Sequence, residues 1–236
     1  MTDTENGTAA SASRSGFGGA LRSGADAVAK AHAIYTPASL RFYDLVVHGF
    51  SNLFAWRCPT SRITDLYRRH LSANHLEAAA GTGLFLDRTG DAFERLALLD
   101  INTHCLTVSA RRLRRFEPEC REANLLEPLT LDLAPFSSVA LTYVLHCLPG
   151  GMAEKLVAVD HLKRLVEPGA TLFGATILGK GVRPNLQARA LLSLYNDKGV
   201  FNNFEDDLET LTLGLEDRFG QVEIERHGLV ALFAAC

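Results

Sequence analysis

From residue 73 onward, apolar and polar positions fall into two alternating kinds of run. Short apolar blocks predict strands at His75–Ala79, Leu96–Leu99, Arg121–Ala123, Phe136–Thr142, Ala170–Leu178, Gln221–Glu225 and Leu229–Ala234. Helical spacing fills the gaps. A short helix is predicted over Leu84–Asp91. Asn102 suits an N-cap, and Cys105, Leu106, Ser109, Ala110 and Leu113 then share one face. Ala153–Leu165 turns Leu156, Val159, Leu162 and Leu165 inward and stops at Glu167-Pro168-Gly169. Residues 184–217 read as helical with an interruption near Gly199. Strands alternating with helices predict an α/β chain, with a mainly parallel seven-stranded sheet covered on both faces.

The N-terminal third is different. Residues 1–27 are rich in Ser, Thr, Gly and Ala and predict a flexible tail. Residues 28–72 predict a helical lid. Leu40, Tyr43, Val47 and Phe50, then Ile63, Leu66 and the stem of His70, recur at helical spacing, with Pro37 and Pro59 as punctuation. Thr36 and then Thr60 or Ser61 are the expected caps. Residues 28–236 thus form one expected domain: lid 28–72, core 73–178, helical cap 179–218 and a terminal strand pair 219–236.

Composition narrows the class. Hydrophobic residues make up 47% of the 236 and charged residues 22%, as in an ordinary globular chain. A formal net charge of -3 gives no electrostatic case for nucleic acid or an anionic membrane. The run Arg111, Arg112, Arg114, Arg115 therefore reads as a solvated helix face. No apolar run approaches the ~18 residues that a membrane span needs. Five cysteines without a CxxC pair argue against a disulfide framework or zinc site and favour a reducing cytoplasm. No His and carboxylate cluster has metal-ligand spacing, so no metal is expected.

The chemistry concentrates after the first strand. Ala80-Gly81-Thr82-Gly83 is a tight turn between strand and helix, where backbone can approach a ligand closely. Asp100 closes the second strand roughly 20 residues later, the interval at which a carboxylate can receive both hydroxyls of a ribose. The third glycine of a GxGxxG fingerprint is missing and there is no phosphate loop, so nothing calls for a pyrophosphate. That favours a nucleoside cofactor without phosphate over NAD.

Five stretches together resemble the class I S-adenosylmethionine-dependent methyltransferases of small-molecule type. His75-Leu76-Glu77-Ala78-Ala79-Ala80-Gly81-Thr82-Gly83 is similar to their first motif, [DE]-x-G-x-G-x-G. Glu77 matches the acid, Gly81 and Gly83 match two glycines, and Ala79 replaces the first. Leu98-Leu99-Asp100-Ile101-Asn102 resembles the second motif, and Ala123-Asn124-Leu125-Leu126 the adenine-holding segment. Ser138 to Pro149, with Thr142, Tyr143 and Leu145-His146-Cys147-Leu148-Pro149, is similar to the fourth strand and its sequel. Leu165 to Leu172 resembles the lead-in to the fifth strand. The likeness covers about residues 70 to 180, half the chain.

This resemblance implies a three-layer Rossmann-like sandwich and methyl transfer from S-adenosylmethionine, leaving S-adenosylhomocysteine, by in-line displacement onto an O, N, S or C nucleophile. It implies cofactor contacts from Glu77, Ala79, Gly81, Gly83, Asp100, Ile101, Asn124, Leu125, Thr142 and Tyr143. Of these, the Asn124 carbonyl and the Leu125 amide would face adenine. His146 and Tyr143 are the catalytic candidates; His146, near neutrality, could accept the acceptor's proton, and its alternative is a packing role. Tyr35, Tyr43 and Trp56 from the lid, and Tyr195, Phe201 and Asn202 from the cap, are candidates to hold a small-molecule acceptor of natural-product or detoxification type. A homodimer is compatible with this class. The competing readings are an RNA or protein methyltransferase and a repurposed binding domain without turnover.

Overall fold

The computed structural model describes residues 44–236. Helix α1 (Asp44–Ala55) has the wide winding of a π-helix, and α2 (Thr60–His70) follows. Seven strands form one sheet: β1 (Asn74–Ala78), β2 (Arg95–Asp100), β3 (Glu119–Glu122), β4 (Phe136–Thr142), β5 (Val166–Ile177), β6 (Val222–His227) and β7 (Val230–Ala235). Their spatial order is β3-β2-β1-β4-β5-β7-β6. The first five are parallel, while β7 runs antiparallel to both β5 and β6. From β1 the chain builds outward to β2 and β3, then returns to place β4 on the other side. That reversal opens a crevice at the carboxyl ends of β1 and β4.

The helices between strands are α3 (Leu84–Thr89), α4 (Thr103–Arg112), α5 (Met152–Lys155), α6 (Val157–Lys163), α7 (Leu186–Asp197) and α8 (Leu208–Glu216). The central strands are buried on both faces, the state of a parallel sheet covered twice. On one face Ile63, Leu66 and Tyr67 of α2 pack with Leu98, Ala140 and Phe173. On the other, Val159 and Leu162 of α6 pack with Ala78, Leu99, Val139 and Leu141. This is the expected three-layer α/β sandwich.

Several boundaries move for identifiable reasons. The fifth strand begins at Val166, not Ala170. Phe136 pairs with Val166 and Ser138 with Thr171, so Glu167-Pro168-Gly169-Ala170 bulges out of the ladder where the missing proline N–H is not needed. The helix predicted over Ala153–Leu165 is broken at Leu156 into α5 and α6. Strand β3 starts two residues before its predicted place; it is a half-exposed edge strand whose charged residues blur its start. Neither Thr60 nor Ser61 caps α2. Pro59 stands at the cap, Thr60 is the first helical residue, and its hydroxyl accepts a hydrogen bond from Asn52 Nδ2 at 3.1 Å. Phe50 faces solvent with 55% of its surface exposed, because α1 turns Ser51, Asn52 and Ala55 inward instead. Asn102 does cap α4, accepting from His104 N at 2.9 Å. Leu40, the Thr36 cap, Tyr35 and Tyr43 lie outside the described residues.

Candidate functional site

The site is built where β1 ends. Three alternate residues there have left-handed backbone: Ala79 (φ +60°), Gly81 (φ +51°) and Gly83 (φ +72°). Ala79 adopts this conformation with a side chain, at the position where the motif has glycine. A Cβ on Gly83 would meet Leu113 Cδ1 at 3.0 Å, so glycine lets α4 pack tightly on the loop. A Cβ on Gly81 would meet nothing within 4 Å; this residue faces open space. The loop is pinned by Ala80 N–H to Leu99 O at 3.0 Å and by the Arg112 guanidinium to Thr82 Oγ1 at 3.1 Å.

Opposite the loop, Asp100 ends β2 with only 8% of its surface exposed. Its Oδ1 accepts from Asn102 N–H at 2.8 Å and its Oδ2 from Gly81 N–H at 3.2 Å. Burial pushes its carboxyl up to about 6, with those N–H groups pulling back. Each oxygen keeps acceptor capacity beyond the backbone bond.

Glu77 is almost fully buried. Tyr67 Oη donates to its Oε1 at 2.6 Å, and His75 Nε2 stands 3.4 Å from Oε2. Thr142 Oγ1 lies 3.1 Å from the same tyrosine oxygen, and burial beside the Glu77 carboxylate holds the Tyr67 phenol well above its usual range. His75 Nδ1 in turn meets Ser138 Oγ at 2.7 Å. On the far wall, Asn124 Oδ1 accepts from Leu126 N–H at 3.1 Å while its amide nitrogen donates to Glu127. His161 Nδ1 approaches Leu125 O at 2.9 Å and fixes that segment from behind.

These walls enclose a cleft of about 1080 Å³ of empty space, partly open to solvent. All ten residues with an expected cofactor contact line it: Glu77, Ala79, Gly81 and Gly83 from the first turn, Asp100 and Ile101, Asn124 and Leu125, and Thr142 and Tyr143. Cys105, Val144 and Leu148 are among the other lining residues; Cys105 carries no signal in the sequence beyond its place on an apolar helix face. Tyr67 is a further omission. Its helical spacing with Ile63 reads as core, and nothing local shows that its hydroxyl reaches Glu77 across ten residues.

The catalytic and acceptor candidates fare differently. Tyr143 lines the cleft, with φ +60° and its hydroxyl donating to Asn52 Oδ1 at 2.9 Å. His146 does not line it and is a correction. Its ring is buried, its Nδ1 accepts from Ile177 N–H at 3.3 Å, and Phe201 packs edge-on at 4.5 Å. Burial and the nearby Lys155 lower its pKa to about 3, so the ring stays neutral. Trp56 is a core residue 6.0 Å from Phe201, and Tyr195 packs on Phe201 at 4.9 Å. Asn202 is exposed, its N–H donating to His146 O at 2.8 Å. None of these four lines the cleft. Two of the four clustered arginines have partners within the chain, half-buried Arg112 on Thr82 and exposed Arg115 on Asp87 at 2.6 Å.

No family model matches the chain. A demethylluteothin O-methyltransferase of Streptomyces thioluteus is 36% identical over 203 residues, covering 85% of this chain and 88% of its own. Methyltransferase aurB of Calcarisporium arbuscula is 36% identical over 216 residues, covering 85% and 94%. The chain belongs to the class I S-adenosylmethionine-dependent methyltransferases. As a member of that family it is a small-molecule methyltransferase whose cofactor is S-adenosylmethionine. The solved DhpI–SAH complex shares its fold with a TM-score of 0.63 at 16% identity, covering 89% of this methyltransferase and 96% of DhpI. The N-methyltransferase NodS of Bradyrhizobium japonicum WM9 does so with 0.57 at 17%, covering 84% and 95%. Among the described residues of the enzyme, no helix is long and apolar enough to cross a membrane.

Proposed function

We propose that this enzyme methylates a hydroxyl oxygen of a small natural product, and that the cleft between β1 and β4 holds its cofactor. The observation that carries the second part is Asp100. A carboxylate this buried, with both oxygens oriented by backbone N–H groups and no cation on it among the described residues, suits a ligand with two adjacent hydroxyl donors. Beside it the bare face of Gly81 leaves room for a sugar. Asn124 and Leu125 stand where a purine edge would be met, and Glu77, Ala79 and Gly83 where the amino-acid end would lie. S-adenosylmethionine supplies a methyl group already activated on a sulfonium. The protein's own contribution is position: Thr142 and Tyr143, at the end of β4, wall the space from which an acceptor would approach.

Oxygen as the acceptor atom is supported by the relatives. Besides the Streptomyces protein, one from Aspergillus chevalieri, 32% identical over 206 residues, is named a physcion biosynthesis cluster O-methyltransferase. All five cysteines of this chain are free thiols, which supports a cytoplasmic setting.

Titration calorimetry with S-adenosylhomocysteine, with NADH as control, tests the cleft. Micromolar binding of the first and none of the second is expected, and Asp100→Ala should weaken it by about 1–3 kcal/mol. Equal binding by parent and variant would remove Asp100 from the site. Mass spectrometry of phenol, enol, amine and thiol panels incubated with the cofactor tests the atom: a gain of one methyl confined to amines or thiols overturns the oxygen assignment.

A further inference from the structure

We propose that Asn52 is the positioning residue for Tyr143, and that through this pair helix α1 is mechanically tied to the cofactor cleft. The inference rests on the cleft being the cofactor site.

Tyr143 is a non-glycine residue with left-handed backbone at a point that lines the cleft. Such a conformation is strained and persists only where the surroundings over-determine it. One constraint is the ladder, where Tyr143 N–H donates to Ala175 O at 2.7 Å. Another is at the far end of the side chain, where the phenol donates to Asn52 Oδ1 at 2.9 Å across 91 residues of sequence. Asn52 is fully buried, and its own amide nitrogen is fixed by Thr60 Oγ1 at the start of α2. Its acceptor is therefore held on a frame of two helices rather than on a loop.

The tie has a second route that closes a ring. Tyr143 meets the His146 ring at 5.6 Å, His146 meets Phe201 at 4.5 Å, and Phe201 meets Trp56 at 6.0 Å. Trp56 follows α1 directly, four residues beyond Asn52, and its N–H donates to Ser51 O. A shift of Tyr143 on filling the cleft would therefore reach α1 from both ends. It also gives His146 a place in the enzyme as packing between Tyr143 and Phe201.

Trp56 is the only tryptophan in the chain, so its fluorescence reads this ring without any acceptor being known. The experiment uses the full chain, S-adenosylhomocysteine as probe, and the variants Asn52→Leu, Tyr143→Phe, their double mutant and Thr60→Val. Saturating probe should change Trp56 emission fully in the parent, less in Thr60→Val, which loosens Asn52, and least in Asn52→Leu and Tyr143→Phe, which lose the bond and keep the ring contacts. Each of these two should weaken probe binding roughly three- to tenfold, and the double mutant no further, because both remove one bond. Additive losses, or a full parental emission change in Tyr143→Phe or Asn52→Leu, would each overturn the assignment. Tyr143→Phe deletes the bond from the cleft side should Asn52→Leu fail to fold. A parent that binds no probe sinks the cofactor cleft itself, whereas one that binds with silent Trp56 sinks only the tie.

Discussion

At the scale of the residue, two side chains carry opposing demands. Ala79 holds a left-handed backbone that costs an L-residue about 1–2 kcal/mol, against the 0.5–1 kcal/mol that glycine loses in chain entropy. Ala79→Gly should therefore raise stability by about 0.5 kcal/mol, a small increase in melting temperature read by calorimetry; a fall would mean that the loop bears no strain there. Asp100 shows the reverse balance. Its carboxyl titrates near 6 in the folded protein, above the value of 3.8 for an unperturbed group. The folded chain thus holds this proton more tightly than the unfolded chain does. From this group alone, stability is greatest below pH 4 and declines by on the order of 3 kcal/mol as pH rises to 6. Affinity for a ribose needs the carboxylate and runs the other way, falling as pH drops through 6. Calorimetry at pH 5 and pH 7.5 should show about tenfold weaker S-adenosylhomocysteine binding at pH 5. A flat profile would mean that Asp100 does not meet the hydroxyls as an anion.

At the scale of the element, the sequence was legible where chemistry and local structure coincide. The turn at 79–83, the acid closing β2, the cap at Asn102 and the strand at 136–142 could all be read, since each is a local signal. Contacts across the fold could not. Asn52 reaches Tyr143 over 91 positions and Tyr67 reaches Glu77 across a layer, and neither leaves a periodicity. His146 looked available because the wording around it fits a loop; burial under Phe201 decides otherwise. The segment between α7 and α8 hides another such contact. Lys155 of α5 is fully buried, donating at 2.6 Å to both Asp206 Oδ2 and Asn202 O. Lys155→Met should cost about 3–5 kcal/mol, because it strands the Asp206 carboxylate in the interior. Urea unfolding measures it, and a loss under 1 kcal/mol would show that the segment repacks freely.

At the scale of the whole molecule, the order of strands explains why one crevice gathers residues from four separate stretches, 77–85, 100–105, 123–125 and 142–148. Every lining residue follows or closes a parallel strand, or opens the helix after it, so the sheet delivers them to a single edge. Two-sided burial fixes the strand ends, and bonds such as Gly81 N–H to Asp100 Oδ2 and Ala123 N–H to Asp100 O tie one loop to the next.

The position of β7 has a consequence for how the protein is made. It lies between β5 and β6, is buried along its whole length, and is the last of the seven strands in chain order. A ribosome delivers residues 230–235 after everything they must pair with. Until then one flank of β5 is an open row of unpaired backbone groups, and β6 has no neighbour at all. The nascent chain must carry that adhesive flank while residues 178–235 are being added.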